Sequence, residues 1–177
     1  MSLSGKSIII ERDITAILVP SGHTIDLKAG TPVRVTQALG DSYSVEVFGQ
    51  LLMIAGTDCD ALGLERDTTQ DAFLVDASLS MEEKAVKLLK TCYDPEIPVN
   101  IYDLGLIYAI SDLNGHLHVT MTLTSPTCGM GPFIVEEAKR KLHRIPNIQD
   151  VTLELIFDPP WDRSRMSQAA KLELNLM

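Results

Sequence analysis

Between Leu123 and Glu137 the sequence Leu-Thr-Ser-Pro-Thr-Cys-Gly-Met-Gly-Pro-Phe-Ile-Val-Glu-Glu has to leave an alternating strand, cross a loop rich in Pro and Gly, and enter a helix. Pro132 suits a first helical turn, where a missing N–H costs nothing. Glu136 and Glu137 then fall early, and Lys139, Arg140, Lys141, His143 and Arg144 crowd the end, an order that complements the helix dipole. Cys128 sits at the junction itself. Unpaired N–H groups and a positive partial charge at a helix start favour thiolate over thiol, and thiolate is the form that attacks electrophiles and binds soft metals.

The flanking sequence builds a small sheet around this junction. Asn114-Gly115 is a strong hairpin signal between a strand over Leu106–Ile110 and a returning strand over His116–Leu123. In the second of these, Leu117, Val119, Met121 and Leu123 face one side and His116, His118, Thr120 and Thr122 the other; the histidines read as a solvated edge rather than a metal pair. The helix from about Gly131 to Arg144 is expected to bury Val135, Ala138 and Leu142. A third strand runs over Asp150–Phe157, with Val151, Leu153, Leu155 and Phe157 on one face. Asp158-Pro-Pro-Trp161 is a rigid turn, after which Asp162 or Ser164 is placed to cap a last helix reaching about Leu174.

Upstream, Ser80-Met-Glu-Glu83 is a capping box, and Met81, Ala85, Leu88, Leu89 and Cys92 form the apolar stripe of the helix it starts. Cys92 therefore reads as a core residue. Pro95 and Pro98 end this helix in extended backbone, with Asp94 and Glu96 flanking the first proline. The order α-β-β-α-β-α over residues 77–177 predicts helices packed on a small mixed sheet.

Residues 1–76 read differently. Ile8–Ile10, Ile14–Val19, Thr31–Thr36, Ser42–Phe48 and Gln50–Ala55 are short strand patterns, with Gly40-Asp41 placed for a hairpin. They predict a small antiparallel barrel or sandwich, making the whole chain α+β in two domains, 1–76 and 77–177. Asp58–Asp76 reads as an acidic connection, and Asp58-Cys59-Asp60 within it as a solvated turn. The N-terminal part is the more acidic.

Composition narrows the functional classes. A net charge of −9 argues against nucleic acid and against anionic membrane surfaces as partners. No apolar run approaches the roughly 18 residues of a membrane span, and the start lacks a basic-then-apolar leader, so the cytoplasm is the expected location. Cys59, Cys92 and Cys128 include no CxxC pair, so a metal would need ligands distant in sequence or from another subunit. Three readings of Cys128 stay open from the residues alone: a nucleophile, which lacks a well-placed histidine; one ligand of a shared metal site; and a buried thiol filling a corner.

Three motifs in order, Asp94-Pro-Glu-Ile-Pro-Val-Asn-Ile-Tyr-Asp-Leu-Gly-Leu-Ile-Tyr108, Met121-Thr-Leu-Thr-Ser-Pro-Thr-Cys-Gly-Met-Gly-Pro132 and Phe157-Asp-Pro-Pro-Trp161 with Met166–Ala170, resemble the PaaD-like family of iron–sulfur cluster assembly factors. With its β-rich N-terminal part the chain is similar to the SufT-type subgroup. The resemblance implies a non-enzymatic maturation factor that carries or loads an iron–sulfur cluster transiently, so that a purified sample need not retain one. It aligns the family's cysteine with Cys128, which would be the metal ligand, and its acidic segment with Asp94 and Glu96; Asp103 is a further candidate in the same motif. It implies assembly proteins and client apoproteins as partners and a homodimer as the state. The competing readings are an adaptor without cargo and, more distantly, a cysteine-nucleophile hydrolase.

Overall fold

The computed structural model describes residues 5–40, 42–65 and 69–176. Asp41 of the expected hairpin, and Arg66 and Asp67 of the expected connection, lie outside them. The chain divides into two compact units, Met1–Thr68 and Thr69–Met177.

The first unit is a six-stranded antiparallel sheet of β1 (Ser7–Ile9), β2 (Ile14–Leu18), β3 (Thr24–Leu27), β4 (Pro32–Leu39), β5 (Ser42–Val47) and β6 (Gln50–Ile54), in the order β1-β4-β5-β6-β2-β3. Alternation sends Ile14, Ala16, Val33, Val35, Val45, Leu52 and Ile54 into one core. That pairing establishes an antiparallel sheet running from β1 to β3. The Asp58–Asp60 stretch differs from its expected form. Gly56–Leu62 is a 3-10 turn whose Ala61 and Leu62 join the core, and Cys59 is buried with them. Arg12 clasps Asp60 at 2.7 Å and Asp58 at 2.8 Å, so these acids tie the turn down instead of merely solvating it.

The second unit holds β9 (Ile107–Leu113), β10 (His116–Met121) and β11 (Asp150–Leu155) in the order β11-β10-β9, following the two-stranded hairpin β7 (Tyr93–Asp94) and β8 (Ile97–Asn100). Asn114 and Gly115, with φ of 56° and 87°, make the tight β9–β10 turn that their residue types demand. β11 runs parallel to β10, which requires a crossover, and α2 (Gly131–Leu142) supplies it. α1 (Met81–Leu89) packs on β9, α2 on β11, and the helices on each other. The expected capping box is formed: Glu83 N–H donates to Ser80 Oγ at 3.1 Å and Ser80 N–H to Glu83 Oε2 at 2.8 Å. The last helix, α3 (Gln168–Glu173), is capped by Ser167; Asp162 caps only a preceding 3-10 turn.

α2 departs from expectation in two ways. It starts at Gly131 as expected, but Glu136 and Glu137, read as falling early, lie beyond its first turn. Its buried stripe is Ile134, Glu137, Ala138, Lys141 and Leu142, which leaves Val135 only half-buried. The Lys141 side chain is 0% exposed and that of Glu137 4%, with Lys141 Nζ 3.1 Å from Glu137 Oε1. The same Nζ donates to the Thr91 carbonyl at 2.7 Å and to its hydroxyl at 3.1 Å. A helix begun beside Cys128 is thereby fastened to the residues just before Asp94.

A second fastening joins two of the sequence motifs. Trp161 Nε1 donates to the Leu104 carbonyl and Tyr108 Oη to the Pro159 carbonyl, both at 2.8 Å, and Ser167 N–H donates to the Asp103 carbonyl at 2.8 Å. Gly105 sits between them with φ of 76°.

Candidate functional site

Cys128 is carried by a loop whose shape is set locally. Ser125 Oγ accepts from Thr127 N–H at 3.3 Å, and the Ser125 carbonyl accepts from Cys128 N–H at 3.2 Å. The Cys128 carbonyl then accepts from Gly131 N–H at 3.1 Å, turning the chain into α2. A Cβ at Gly131 would lie 2.5 Å from Leu123 Cδ1, so with glycine there the helix starts close over the end of the preceding strand without displacing that side chain.

Of the three cysteines, Cys59 and Cys92 are buried and Cys128 is half-buried. Cys128 opens into a cavity of about 470 Å³. Leu123 and Pro126 line it from the loop, Pro132, Val135 and Glu136 from α2, and Leu155 and Phe157 from the end of β11. Leu155 and Phe157, expected on one face with Val151 and Leu153, are 38% and 39% exposed. β11 ends at Leu155, so Phe157 lies beyond the expected strand's last paired residue.

The electrostatics of the thiol reverse the expectation drawn from the helix start. Partial burial pushes the Cys128 thiol up, and the carboxylates of Asp94 and Glu96 push it further the same way. The N–H groups of Met130 and Gly131 pull it down, as a helix start should, without winning. At rest the site holds a thiol, and a cation must arrive to displace its proton. Alkylation by iodoacetamide should therefore be slow at neutral pH and still accelerating above about pH 8.5, the ordinary thiol value. Asp94→Asn removes one opposing charge and should shift that profile to lower pH; an unmoved profile would separate Asp94 from Cys128.

Asp94 is 3% exposed, and burial pushes its carboxyl up. Its Oδ1 accepts from Glu96 N–H at 2.9 Å across the Pro95-Glu96 turn between β7 and β8. The extended segment expected from the two prolines is thus a hairpin that buries Asp94 and leaves Glu96 exposed. Asp103 belongs to another network: its Oδ2 accepts from Asn100 Nδ2 at 2.7 Å, its N–H donates to Asn100 Oδ1 at 2.8 Å, and Lys90 lies 3.9 Å from its Oδ1. The structure brings Asp94 and Glu96 to bear on Cys128 and gives Asp103 a loop-closing partner set.

Among the described residues no group of three or more His, Cys, Asp and Glu is arranged around one point for a metal ion. Cys128 offers one soft thiol, on which the carboxylates of Asp94 and Glu96 act through their charge, and a lone thiolate fits one corner of a cluster otherwise held by thiolates from elsewhere. Sequence reading missed Glu136, Leu155 and Phe157 as walls, and Lys141 as the tie between α2 and Thr91.

Residues 82–155 match a protein family described as iron-sulfur cluster assembly protein. A Porphyromonas gingivalis protein named Fe-S protein maturation auxiliary factor is 45% identical over 100 residues, 56% of this chain and 95% of that protein. The Staphylococcus aureus Fe-S protein maturation auxiliary factor SufT is 43% identical over 84 residues, 47% of this chain and 96% of that protein. A crystal structure of a domain of unknown function, DUF59, from Bacillus anthracis is 35% identical with a TM-score of 0.51, covering 55% of this chain and 93% of that one. The six-stranded unit lies outside the matched segment.

Proposed function

This chain belongs to the iron–sulfur cluster assembly protein family, and from that membership we propose that it is an accessory factor in iron–sulfur protein maturation, using Cys128 as one thiolate ligand of a shared, transient cluster. The observation that supports this most is the contrast among its cysteines: Cys59 and Cys92 are buried, whereas Cys128 opens into a cavity, with the charges of Asp94 and Glu96 acting on its sulfur. The cluster is cargo. When its iron meets Cys128, the proton leaves Sγ for a neighbouring carboxylate or water, and the thiolate becomes a ligand. A site that supplies one thiolate holds cargo loosely enough to pass on, with the other thiolates coming from a second copy, an assembly protein or a client apoprotein.

On this reading residues 77–177 are the working PaaD-like domain, and residues 1–76, with their acidic connector, a separate small β barrel or sandwich. The expected setting is the cytoplasm; no helix among the described residues is long and apolar enough to cross a membrane. One observation favours the second reading, an adaptor without cargo: the Cys128 thiol is held protonated at rest. Anaerobic reconstitution with iron and sulfide separates the two. The wild type should gain iron, sulfide and visible absorption, and Cys128→Ser should lose all three with an unchanged circular dichroism spectrum. Equal iron and sulfide in both proteins sinks the cargo reading and leaves the adaptor.

A further inference from the structure

We propose that the outer edge of β11 and the cavity beside it form a docking site for an extended, cysteine-bearing segment of a client protein, which adds to the sheet as a fourth strand and brings its thiol to Cys128. The purpose of such docking rests on the cluster-handover reading; the docking itself does not.

β11 ends the sheet. β10 pairs with one of its sides continuously, from His116 opposite Asp150 to Met121 opposite Leu155, and no strand among the described residues covers the other. In a parallel strand alternate residues hydrogen-bond to opposite sides, so about half of the N–H and C=O groups of β11 point outward. Proteins usually blunt such an edge with Pro, charged side chains (Lys above all), a bulge or a covering element, and of these β11 carries only two acids, Asp150 and Glu154. Asp150-Val-Thr-Leu-Glu-Leu155 has neither Pro nor Lys, and its pairing with β10 carries no register shift. The bulge in this sheet lies on the β9 side, at Thr120/Met121. The edge has been left flat.

An open edge selects an extended occupant over a helix, because the main-chain groups themselves must be matched. The same edge ends in the two half-exposed apolar side chains, Leu155 and Phe157, that wall the cavity holding Cys128. A strand laid on β11 therefore sends every second side chain to the face that carries Leu155 and Phe157, and at about 3.3 Å per residue a six-residue segment follows the whole edge, so that its end reaches the cavity holding Cys128.

Charge identifies the occupant further. The ionisable groups other than Cys128 at the cavity and around its sulfur are carboxylates: Glu136 on the wall, and Asp94 and Glu96 acting on the sulfur. β11 adds Asp150 and Glu154, with Glu154 3.6 Å from His118 on β10. A second copy of this edge would bring two more acids against these. The fitting segment instead alternates apolar residues around a cysteine and carries Lys or Arg at its flanks.

The probe is a fluorescent dodecapeptide with valines alternating around one central cysteine and a lysine pair at each end, tested without cluster on the full chain. Its N-methylated form, blocked at alternate amides, and its glutamate-ended form are the controls. The parent peptide should bind at least about tenfold tighter than either control, slow amide exchange between Val151 and Leu155, and lose about tenfold or more with Phe157→Ala or Leu155→Asp. No cluster is present in this assay, so failure of docking and failure of the cargo reading are seen separately. Equal binding of the N-methylated peptide, or protection of amides elsewhere, overturns the proposal. So does concentration-dependent dimerisation abolished by Leu155→Asp, which would assign the edge to a second copy.

Discussion

Replacing Lys141 with methionine is expected to cost about 3–5 kcal/mol of folding stability, the range for removing one partner of a buried ion pair. The ammonium is fully enclosed, facing Glu137 Oε1 at 3.1 Å and the Thr91 carbonyl at 2.7 Å, so its loss withdraws a positive charge from a buried carboxylate and a donor from the half-buried Thr91 carbonyl. Leaving buried polar groups without their partner costs more than the pair itself contributes. Hence the double replacement Glu137→Leu with Lys141→Met should recover most of the loss. Urea unfolding followed by the emission of Trp161, the chain's single tryptophan, reads the second unit. A single variant as stable as the wild type, or a double variant no better than the single, contradicts this account of the α2–Thr91 tie.

Gly105→Ala should cost roughly 2–4 kcal/mol, from overpacking and left-handed backbone together. An added Cβ would lie 2.3 Å from the Arg165 carbonyl oxygen and 2.6 Å from its carbon, and the residue holds φ at 76°, where side chains are strained. Backbone cannot swing aside as a side-chain tip can. The relief available is for the Asp158–Arg165 segment to lift, which breaks the 2.8 Å bond from Trp161 Nε1 to the Leu104 carbonyl. Trp161 emission should shift to the red in the folded variant, alongside a lower Tm. An unshifted emission with an unchanged Tm would mean that the two motifs are not locked together here.

The elements of the second unit were legible because each has a short-range cause. Ser80 and Glu83 cap α1 reciprocally, Asn114-Gly115 supplies two left-handed residues, and alternation in β10 places Leu117, Val119 and Met121 in the core at 1% exposure or less. What the sequence concealed depends on three-dimensional neighbours. Lys141 sits in a basic run that reads as a helix end, yet it shares a stripe with Ile134, Ala138 and Leu142. The i,i+4 relation to Glu137 on that stripe was the available clue. Cys128 read as an activated thiol because the helix start is local, whereas burial, joined by Asp94 and Glu96 from about thirty residues away, outweighs it. The motif resemblance located Cys128, Asp94 and Glu96 together; only the fold separates Asp103 from them, through Asn100 and Lys90. In the first unit, alternation exposed the strands, but it could not reveal that Arg12 would fasten Asp58 and Asp60 beside the core.

On the proposed function, Cys128 contributes one thiolate to a cluster completed from outside its own chain. Iron, acid-labile sulfide and protein, measured together on anaerobically loaded and desalted wild type, test it most directly. The account predicts one cluster for every two chains, with the loaded protein sedimenting as a dimer and both signals absent in Cys128→Ser. A complete cluster on each monomer, or a loaded Cys128→Ser protein, would contradict it.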